Sequence, residues 1–248
     1  MFRGDAFMKT LVSVVVPFYN EEANVPLLAA KIGGVFAGLA DYDYECLFVN
    51  DGSTDGTRAA LDTLAQANAR IRTVHLVANR GQSAALVAGI RRARGAYIFI
   101  LDGDLQNDPC DFPRMLELLQ EYDCVCGYRA HRQDSWVRRM SSRIANRTRA
   151  LFVPTGTRDA GCGSKGFRRA CAPHIVAFNG AHRFLDSVLV NAGFTVTECP
   201  VTHHPRQHGV SKYGIHNRLW RGIYDLIGVR WLCKRYVTFE VEGEDGHG

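Results

Sequence analysis

Asp102 and Asp104 are separated by a single glycine and follow the apolar run Phe99-Ile100-Leu101. In extended or turning backbone, residues i and i+2 point the same way. The two carboxylates can therefore face one point. If the apolar run is a strand, that point lies beyond its C-terminal end, where open α/β sheets bind ligands. Two close carboxylates repel unless a proton or a cation sits between them. Oxygen donors of this type suit Mg2+ or Mn2+, which keep positions open for substrate phosphates. Asp-x-Asp by itself fits a solvated surface turn equally well, so the surrounding elements have to decide.

Those elements alternate. Leu11–Pro17, Tyr44–Asn50, Ile71–Val77, Ala96–Asp102 and Asp123–Gly127 read as strands. Glu22–Leu39, Thr57–Ala69, Gln82–Arg94 and Pro109–Glu121 read as the helices between them. Acidic residues open the first helix, where the helix dipole favours them, and Asp55 is positioned to cap the second. Strands and helices alternating at this spacing predict an α/β chain with a mostly parallel, doubly wound sheet flanked by helices. Every strand-to-helix turn then lies on one rim of that sheet. Beyond Gly127 the pattern changes to a basic helix over 135–151, a glycine-rich stretch over 154–166, a helix over 182–192 and a strand over 194–203. A loop over 206–214 follows, and then a basic amphipathic helix over 214–236 with Ile215, Leu219, Ile223 and Leu226 or Ile227 on one face. The acidic, glycine-rich tail 237–248 reads as disordered.

The chain has 248 residues, 46% of them hydrophobic and 22% charged, enough for one substantial core. No run reaches the roughly 18–20 apolar residues of a membrane-spanning helix, and Met1–Thr10 lacks the apolar core of a signal peptide. These features predict a cytoplasmic chain. Eight scattered cysteines, several in apolar strands, read as reduced structural thiols. The net charge of +5 is concentrated between Arg129 and Arg149 and between Arg206 and Arg235, where Asp225 is the sole carboxylate. Such regions suit phosphorylated ligands, an anionic membrane or nucleic acid, and equally a plain solvated face.

Polar groups follow four consecutive strands. Pro17-Phe-Tyr-Asn-Glu21 follows the first and Asn50-Asp51-Gly52-Ser53 the second; Asn79-Arg80-Gly81 follows the third and the paired aspartates the fourth. Singly, each fits a turn. In order, on one rim, they describe a nucleotide site: carboxylates for a ribose or base, an arginine for a diphosphate, and a cation to neutralise a leaving diphosphate. There is no Gly-x-Gly-x-x-Gly after the first strand, no P-loop and no Gly-x-Ser-x-Gly elbow.

The chain resembles the inverting glycosyltransferases of family 2, which have the GT-A nucleotide-diphospho-sugar transferase fold. The residues carrying the resemblance are Val-Val-Val-Pro-Phe-Tyr-Asn-Glu-Glu (14–22), Val-Asn-Asp-Gly-Ser-Thr-Asp-Gly-Thr (49–57), Asn-Arg-Gly-Gln-Ser-Ala-Ala (79–85) and Leu-Asp-Gly-Asp-Leu-Gln (101–106). Asp-Gly-Asp-Leu-Gln is similar to the branch of dolichyl- and polyprenyl-phosphate sugar transferases. Arg158-Asp159-x-Gly161-Cys162-Gly163, Arg183-Phe184-Leu185 and Arg206-x-x-Gly209-x-Ser211-Lys212-Tyr213 support that branch. Processive polysaccharide synthases carry Gln-x-x-Arg-Trp; before Arg230-Trp231 this chain has Ile227 in the glutamine position. Asn50 stands where many relatives carry Asp, leaving Asp51 to keep the nucleotide contact.

The resemblance implies a role for each matched position. Pro17, Tyr19, Glu21, Val49 and Asp51 would hold base and ribose, with Arg80 and Gly103 completing the nucleotide site. Asp102, Asp104 and Gln106 would hold Mg2+ or Mn2+ and the diphosphate. Arg129 and Lys212 would meet phosphate oxygens, and Arg132, Arg206 and Ser211 the acceptor phosphate. Asp159 would bring a carboxylate near the reaction centre. Asp104, Asp159, Lys212 and Arg129 are the catalytic candidates.

The resemblance also implies one catalytic domain over 8–213, with a nucleotide half to about 127 and an acceptor half from about 128. The donor would be a UDP- or GDP-sugar and the acceptor a polyprenyl or dolichyl phosphate at the inner face of the membrane. The basic helix 214–236, or a separate small membrane protein, would supply the anchor. The rival readings are a cell-wall, capsule or other polysaccharide acceptor, a non-catalytic nucleotide-sugar-binding subunit, and a nucleic-acid-binding protein. The last lacks any recognisable module or aromatic stacking platform.

Overall fold

A computed structural model describes residues 9–130, 153, 157–205 and 216–237 of the chain, with side chains of the last segment described from 224. Its elements run β1 (Thr10–Phe18), α1 (Asn24–Ala37), β2 (Tyr42–Asn50), α2 (Thr57–Ala67), β3 (Ile71–His75), α3 (Gln82–Ile90), β4 (Tyr97–Ile100), α4 (Phe112–Leu118), β5 (Cys124–Arg129), β6 (Lys165–Arg168), α5 (Leu185–Asn191), β7 (Val196–Val201) and α6 (His216–Arg235). The described strands form one seven-stranded sheet in the order β3-β2-β1-β4-β6-β5-β7.

Alternation along the strands separates two cores. Val12, Val14, Val16 and Phe18 of β1 pack with Leu28, Ile32 and Phe112 on one face. Val15, with Leu47, Val49, Ile98 and Ile100, packs against Leu86, Ile90 and Leu185 on the other. A sheet covered on both faces explains why its strands read as nearly continuous apolar runs. All eight cysteines are free, and six are buried in the core.

The mostly parallel sheet expected from the sequence is present, with one departure. β6 pairs antiparallel with both β4 and β5, and it stands between them. Sequence patterning gave no strand there, because Lys165–Arg168 is four residues long and carries a charge at each end. This insertion joins the two halves of the chain in one sheet and brings Lys165 opposite Ile100, two residues before Asp102. The first helix begins at Asn24, so Glu21 and Glu22 precede it rather than opening it. The helix expected from Pro109 splits into a 3-10 turn, Pro109–Asp111, and α4. The basic helix over 135–151, the loop over 206–214 and the tail lie outside the described residues.

Candidate active site

Four loops on the C-terminal rim of β1, β2, β3 and β4 enclose a cleft of about 350 Å³. It is lined by Pro17, Phe18, Tyr19, Glu21, Asp51, Asn79, Gly81, Gln82, Asp102, Gly103 and Asp104. The loops are tied together by polar contacts. Asn20, in the left-handed region at φ 53°, accepts from Thr54 N–H at 2.8 Å, and its own N–H donates to Ser53 Oγ at 3.0 Å. Glu21 N–H donates to Thr57 Oγ1 at 2.9 Å, and Glu22 accepts from Gly56 N–H at 3.2 Å. Asp55 accepts from Thr57 N–H at 3.0 Å from one position before the N-cap, Gly56, which departs from the capping place expected of it.

Asp51 ties the loops after β2 and β3 together at the cleft. Its two carboxylate oxygens accept from Arg80 N–H at 2.7 Å and Gly81 N–H at 2.9 Å. Burial raises its proton affinity above the ordinary carboxylate value, partly opposed by these two bonds. Gly52, at φ +66°, lies against the same loop: a Cβ there would sit 2.4 Å from Asn79 N. Only glycine fits both that dihedral and that approach. Asn50 is explained by its neighbours. Its Oδ1 accepts from Ser53 N–H at 2.9 Å, and its Nδ2 faces His75 Nδ1 at 3.4 Å. His75 Nε2 is bonded to Asp62 at 2.9 Å. An N–H donated from Nε2 to Asp62 leaves Nδ1 as an acceptor, which suits an amide at position 50 and not a carboxylate.

Asp102 and Asp104 both line the cleft, as their spacing predicts. Asp102 Oδ1 accepts from Gln82 Nε2 at 2.6 Å. Its other oxygen lies against Gly163, where a Cβ would come within 2.0 Å of it. Burial and the neighbouring Asp104 push the Asp102 carboxyl up to about 6, against the opposing pull of Lys165, Gln82 and Arg129. Two oxygen-donor groups whose joint ionisation is disfavoured fit a divalent cation. Leu105 follows at φ 61°, a strained conformation for a branched residue, and it is buried. This turn returns Gln106 N–H to Asp104 Oδ1 at 3.2 Å.

Arg129, at the end of β5, meets Asp159 across 30 residues of chain. The guanidinium donates to both carboxylate oxygens, Nε at 2.7 Å and Nη2 at 2.8 Å. The charge of Arg129 is felt at Asp102, so this pair neighbours the donor carboxylates. Lys165 is 2% exposed; its ammonium donates to the carbonyls of Cys162 and Ala160. Ser83, in the first turn of α3, accepts from Gly180 N–H at 3.0 Å and contacts His182 Nδ1 at 2.9 Å. Burial, with Lys165 and Arg183 nearby, pushes His182 down to about 3, which keeps its ring neutral.

Of the sequence candidates, the cleft gathers Pro17, Tyr19, Glu21, Asp51, Asp102, Gly103 and Asp104. Five others are not among the lining residues: Arg129 and Asp159, paired as described above, and Val49, Arg80 and Gln106. The side chain of Val49 is fully buried in the core against α3, outside the cleft lining. Arg80 is exposed outside the lining and acts through its backbone N–H on Asp51. Gln106 is not among the lining residues; its backbone holds Asp104 and accepts from His204 N–H at 2.8 Å. Arg132, Arg206, Ser211 and Lys212 lie outside the described residues. Sequence reasoning missed Gln82 and Lys165. The first sat inside the quoted Asn-Arg-Gly-Gln run with no carboxylate partner visible, and the second lay unremarked in the glycine-rich stretch 154–166.

The glycosyl transferase family 2 model matches residues 13–175. The chain is 36% identical over 237 residues to a dodecaprenyl-phosphate galacturonate synthase of Rhizobium johnstonii, covering 93% of this chain and 70% of that protein. It is also 36% identical over 219 residues to an undecaprenyl-phosphate 4-deoxy-4-formamido-L-arabinose transferase of Aeromonas hydrophila, covering 88% of this chain and 67% of that one. The chain thus spans about two thirds of the length of these relatives. Among solved structures, it resembles a mannosyltransferase from Pyrobaculum calidifontis in complex with GDP-Man and Mn2+, with a TM-score of 0.56 and 21% identity. That match covers 86% of this chain and 60% of the other, and it carries the GT-A fold. Motifs on four strand ends, a rim cleft holding paired aspartates and these similarities agree: the chain belongs to glycosyl transferase family 2.

Proposed function

We propose that this chain transfers a sugar from a nucleoside-diphosphate sugar to a polyprenyl phosphate. The observation that carries the reading is the convergence of Asp102 and Asp104 on a cleft also lined by Tyr19, Glu21 and Asp51. The printed names of both curated relatives specify a polyprenyl phosphate, which supports the same acceptor class.

The reaction is one in-line displacement with inversion. An acceptor phosphate oxygen forms a bond to the anomeric carbon as the bond from that carbon to the diphosphate oxygen breaks, and the nucleoside diphosphate departs. A phosphate dianion is already a competent nucleophile, so no strong general base is needed. The two-bond commitment of Asp159 to Arg129 supports a positioning role for that carboxylate. Asp102 and Asp104 would hold Mg2+ or Mn2+, which neutralises the charge developing on the departing diphosphate. The remaining catalysis is orientation and electrostatic complementarity, with Arg129, and Lys212 outside the described residues, offsetting phosphate charge.

Helix α6 supports action at a membrane surface. Leu226 and Val229 bury one stripe against Val153 and Phe184, and Asp225 accepts from Arg183 Nη2 at 2.7 Å. The opposite stripe exposes Tyr224 at 80%, Ile227 at 58% and Trp231 at 64%, with exposed Lys234 and Arg235 beside them. These side chains, at i, i+3 and i+7, form an aromatic and aliphatic ridge with a basic margin, suited to an anionic interface. No described helix is long and apolar enough to cross a membrane. Nothing in the fold or the relatives' names supports a separate membrane-protein partner, and the proposal includes none.

The test is a transfer assay with Mn2+ or Mg2+ and a panel of UDP- and GDP-sugars, with and without a short polyprenyl phosphate. The extracted lipid is weighed by mass spectrometry. A sugar-phosphate-lipid that requires both metal and acceptor is expected and names the donor. Nucleotide release without a lipid product would replace the acceptor class.

A further inference from the structure

Asp102 lies between Gln82 of α3 and the loop around Gly163, which Lys165 of β6 ties down. The Gln82 amide, on the first turn of α3, meets Oδ1 at 2.6 Å. Gly163 presents bare backbone to the other oxygen, with no room for a Cβ. Below them, Lys165 of β6 is 2% exposed and opposes the negative charge of Asp102. Lys165 also ties down the loop that carries Gly163, by donating to the carbonyls of Ala160 and Cys162. The N-terminus of α3 is itself anchored through Ser83 to Gly180 and His182.

We propose that Gln82 and Lys165 are positioning residues that fix the Asp102 carboxylate in the one orientation that serves a cation-bridged diphosphate. Gln82 fits this role for a chemical reason. A neutral amide donor can hold one carboxylate oxygen without adding a charge to the site, and it leaves the second oxygen to the incoming ligand. A carboxylate beside Asp104 would otherwise turn away from its neighbour. Lys165 performs the complementary task from beneath. A buried ammonium costs several kcal/mol of desolvation unless it answers to buried acceptors or charge, and its acceptors are the carbonyls of the loop that Asp102 leans on. The two residues therefore couple the donor half of the sheet to the 159–163 loop that presents Asp159.

This inference rests on the proposed function, so its test measures binding as well as turnover. Gln82 is half-buried at the cleft wall, and Gln82→Leu keeps its bulk while removing the donor. Binding of UDP and GDP is measured by calorimetry with Mn2+ and again with EDTA, alongside crystal structures of the parent and variant chains. The expected result is a loss of roughly 10- to 100-fold in Mn2+-dependent affinity, the scale for residues that support metal ligands. Metal-free nucleotide affinity falls by far less than the Mn2+-dependent affinity, and Asp102 turns away from Gly163 in the variant crystal. Lys165→Met is expected to give the same split; if it does not fold, Gln82→Leu decides alone. Unchanged Mn2+-dependent binding with an unmoved Asp102 overturns the inference, as does an equal loss with and without metal. If the parent chain binds no nucleotide with Mn2+, the proposed function falls, and the orientation of Asp102 in the two crystals then judges the positioning role by itself.

Discussion

Two part-buried carboxylates sit at opposite ends of the same sheet and meet opposite treatment. Glu45, near the start of β2, accepts from Ser13 Oγ at 2.7 Å, Arg72 Nη1 at 2.7 Å and Arg94 N–H at 2.7 Å. Burial raises its proton affinity, but these three partners more than offset the rise and hold it below the ordinary glutamate value. Asp102, just past β4, also feels burial first, then Asp104; Lys165, Gln82 and Arg129 answer only in part, and it rises to about 6. A carboxylate whose partners satisfy it belongs to the structure. One whose environment leaves its charge unanswered is prepared for a ligand that brings positive charge. Glu45 is thus held by its partners as part of the fold, while Asp102 keeps a raised proton affinity at the cleft.

The comparison can be broken by exchanging the two kinds of loss. Asp104→Ala is expected to lower kcat/KM for transfer by about 1,000-fold or more while the chain stays folded, the scale of losing a principal electrostatic element. Retained turnover in this variant would remove the cation site from the cleft. Glu45→Ala is expected to do the reverse. It strands Arg72 and Ser13 and costs about 3 kcal/mol of stability, as breaking a buried pair does. Activity per folded molecule should stay unchanged, as read by denaturant titration beside a single-turnover assay.

Acid titration sharpens the contrast further, because the two groups have opposite signs. Asp102 has a folded value near 6 against an unfolded value of 3.8. The native state therefore binds the extra proton across that window, and this group's contribution to stability falls as pH rises from about 4 to 6. Glu45 is lowered below 4.5, so its contribution is present above that value and disappears as pH falls through its folded value. Asp102→Asn should flatten the decline in melting temperature across pH 4–6. Glu45→Gln should flatten the loss on the acid side. Identical pH profiles for the parent and both variants would contradict the assignment of opposite signs.

The smallest expected effect concerns Asn50, at the C-terminal rim. Asn50→Asp sets a carboxylate oxygen against the acceptor nitrogen of His75, and a loss of about 1 kcal/mol at pH 8 is expected from the broken contact. Unchanged stability in that variant would mean that the amide does not matter there.

Much of this arrangement was legible in the chain itself. Apolar runs ending in polar turns marked β1 to β4, and i,i+2 spacing placed Asp102 and Asp104 on a common rim. Strand edges were read within a few residues, because apolar patterning follows burial more closely than hydrogen bonding. Alternation along β2 turns the side chain of Val49 into the core while Asp51 stands at the rim. For α6, the sequence left Leu226 and Ile227 as alternatives for the inner face. The fold buries Leu226 and exposes Ile227, because Arg183 and Asp225 fix the rotation of the helix.

The amino-acid sequence by itself determined the class of fold, the family and the order of the rim motifs. All of these depend on local periodicity and on residue types at fixed spacing. Tertiary structure alone decided the placement of β6, the burial of Lys165, the grip of Gln82 on Asp102 and the pairing of Arg129 with Asp159. The Gln82–Asp102 bond, the Arg129–Asp159 pair and the β4–β6 pairing bring together residues 20 to 71 positions apart. A four-residue strand with charged ends carries no periodic signal, and a lysine reads as a surface residue until buried carbonyls and a carboxylate are folded around it. Local chemistry chose which groups could react. Long-range packing chose which of them were satisfied, and so which remained available to a ligand.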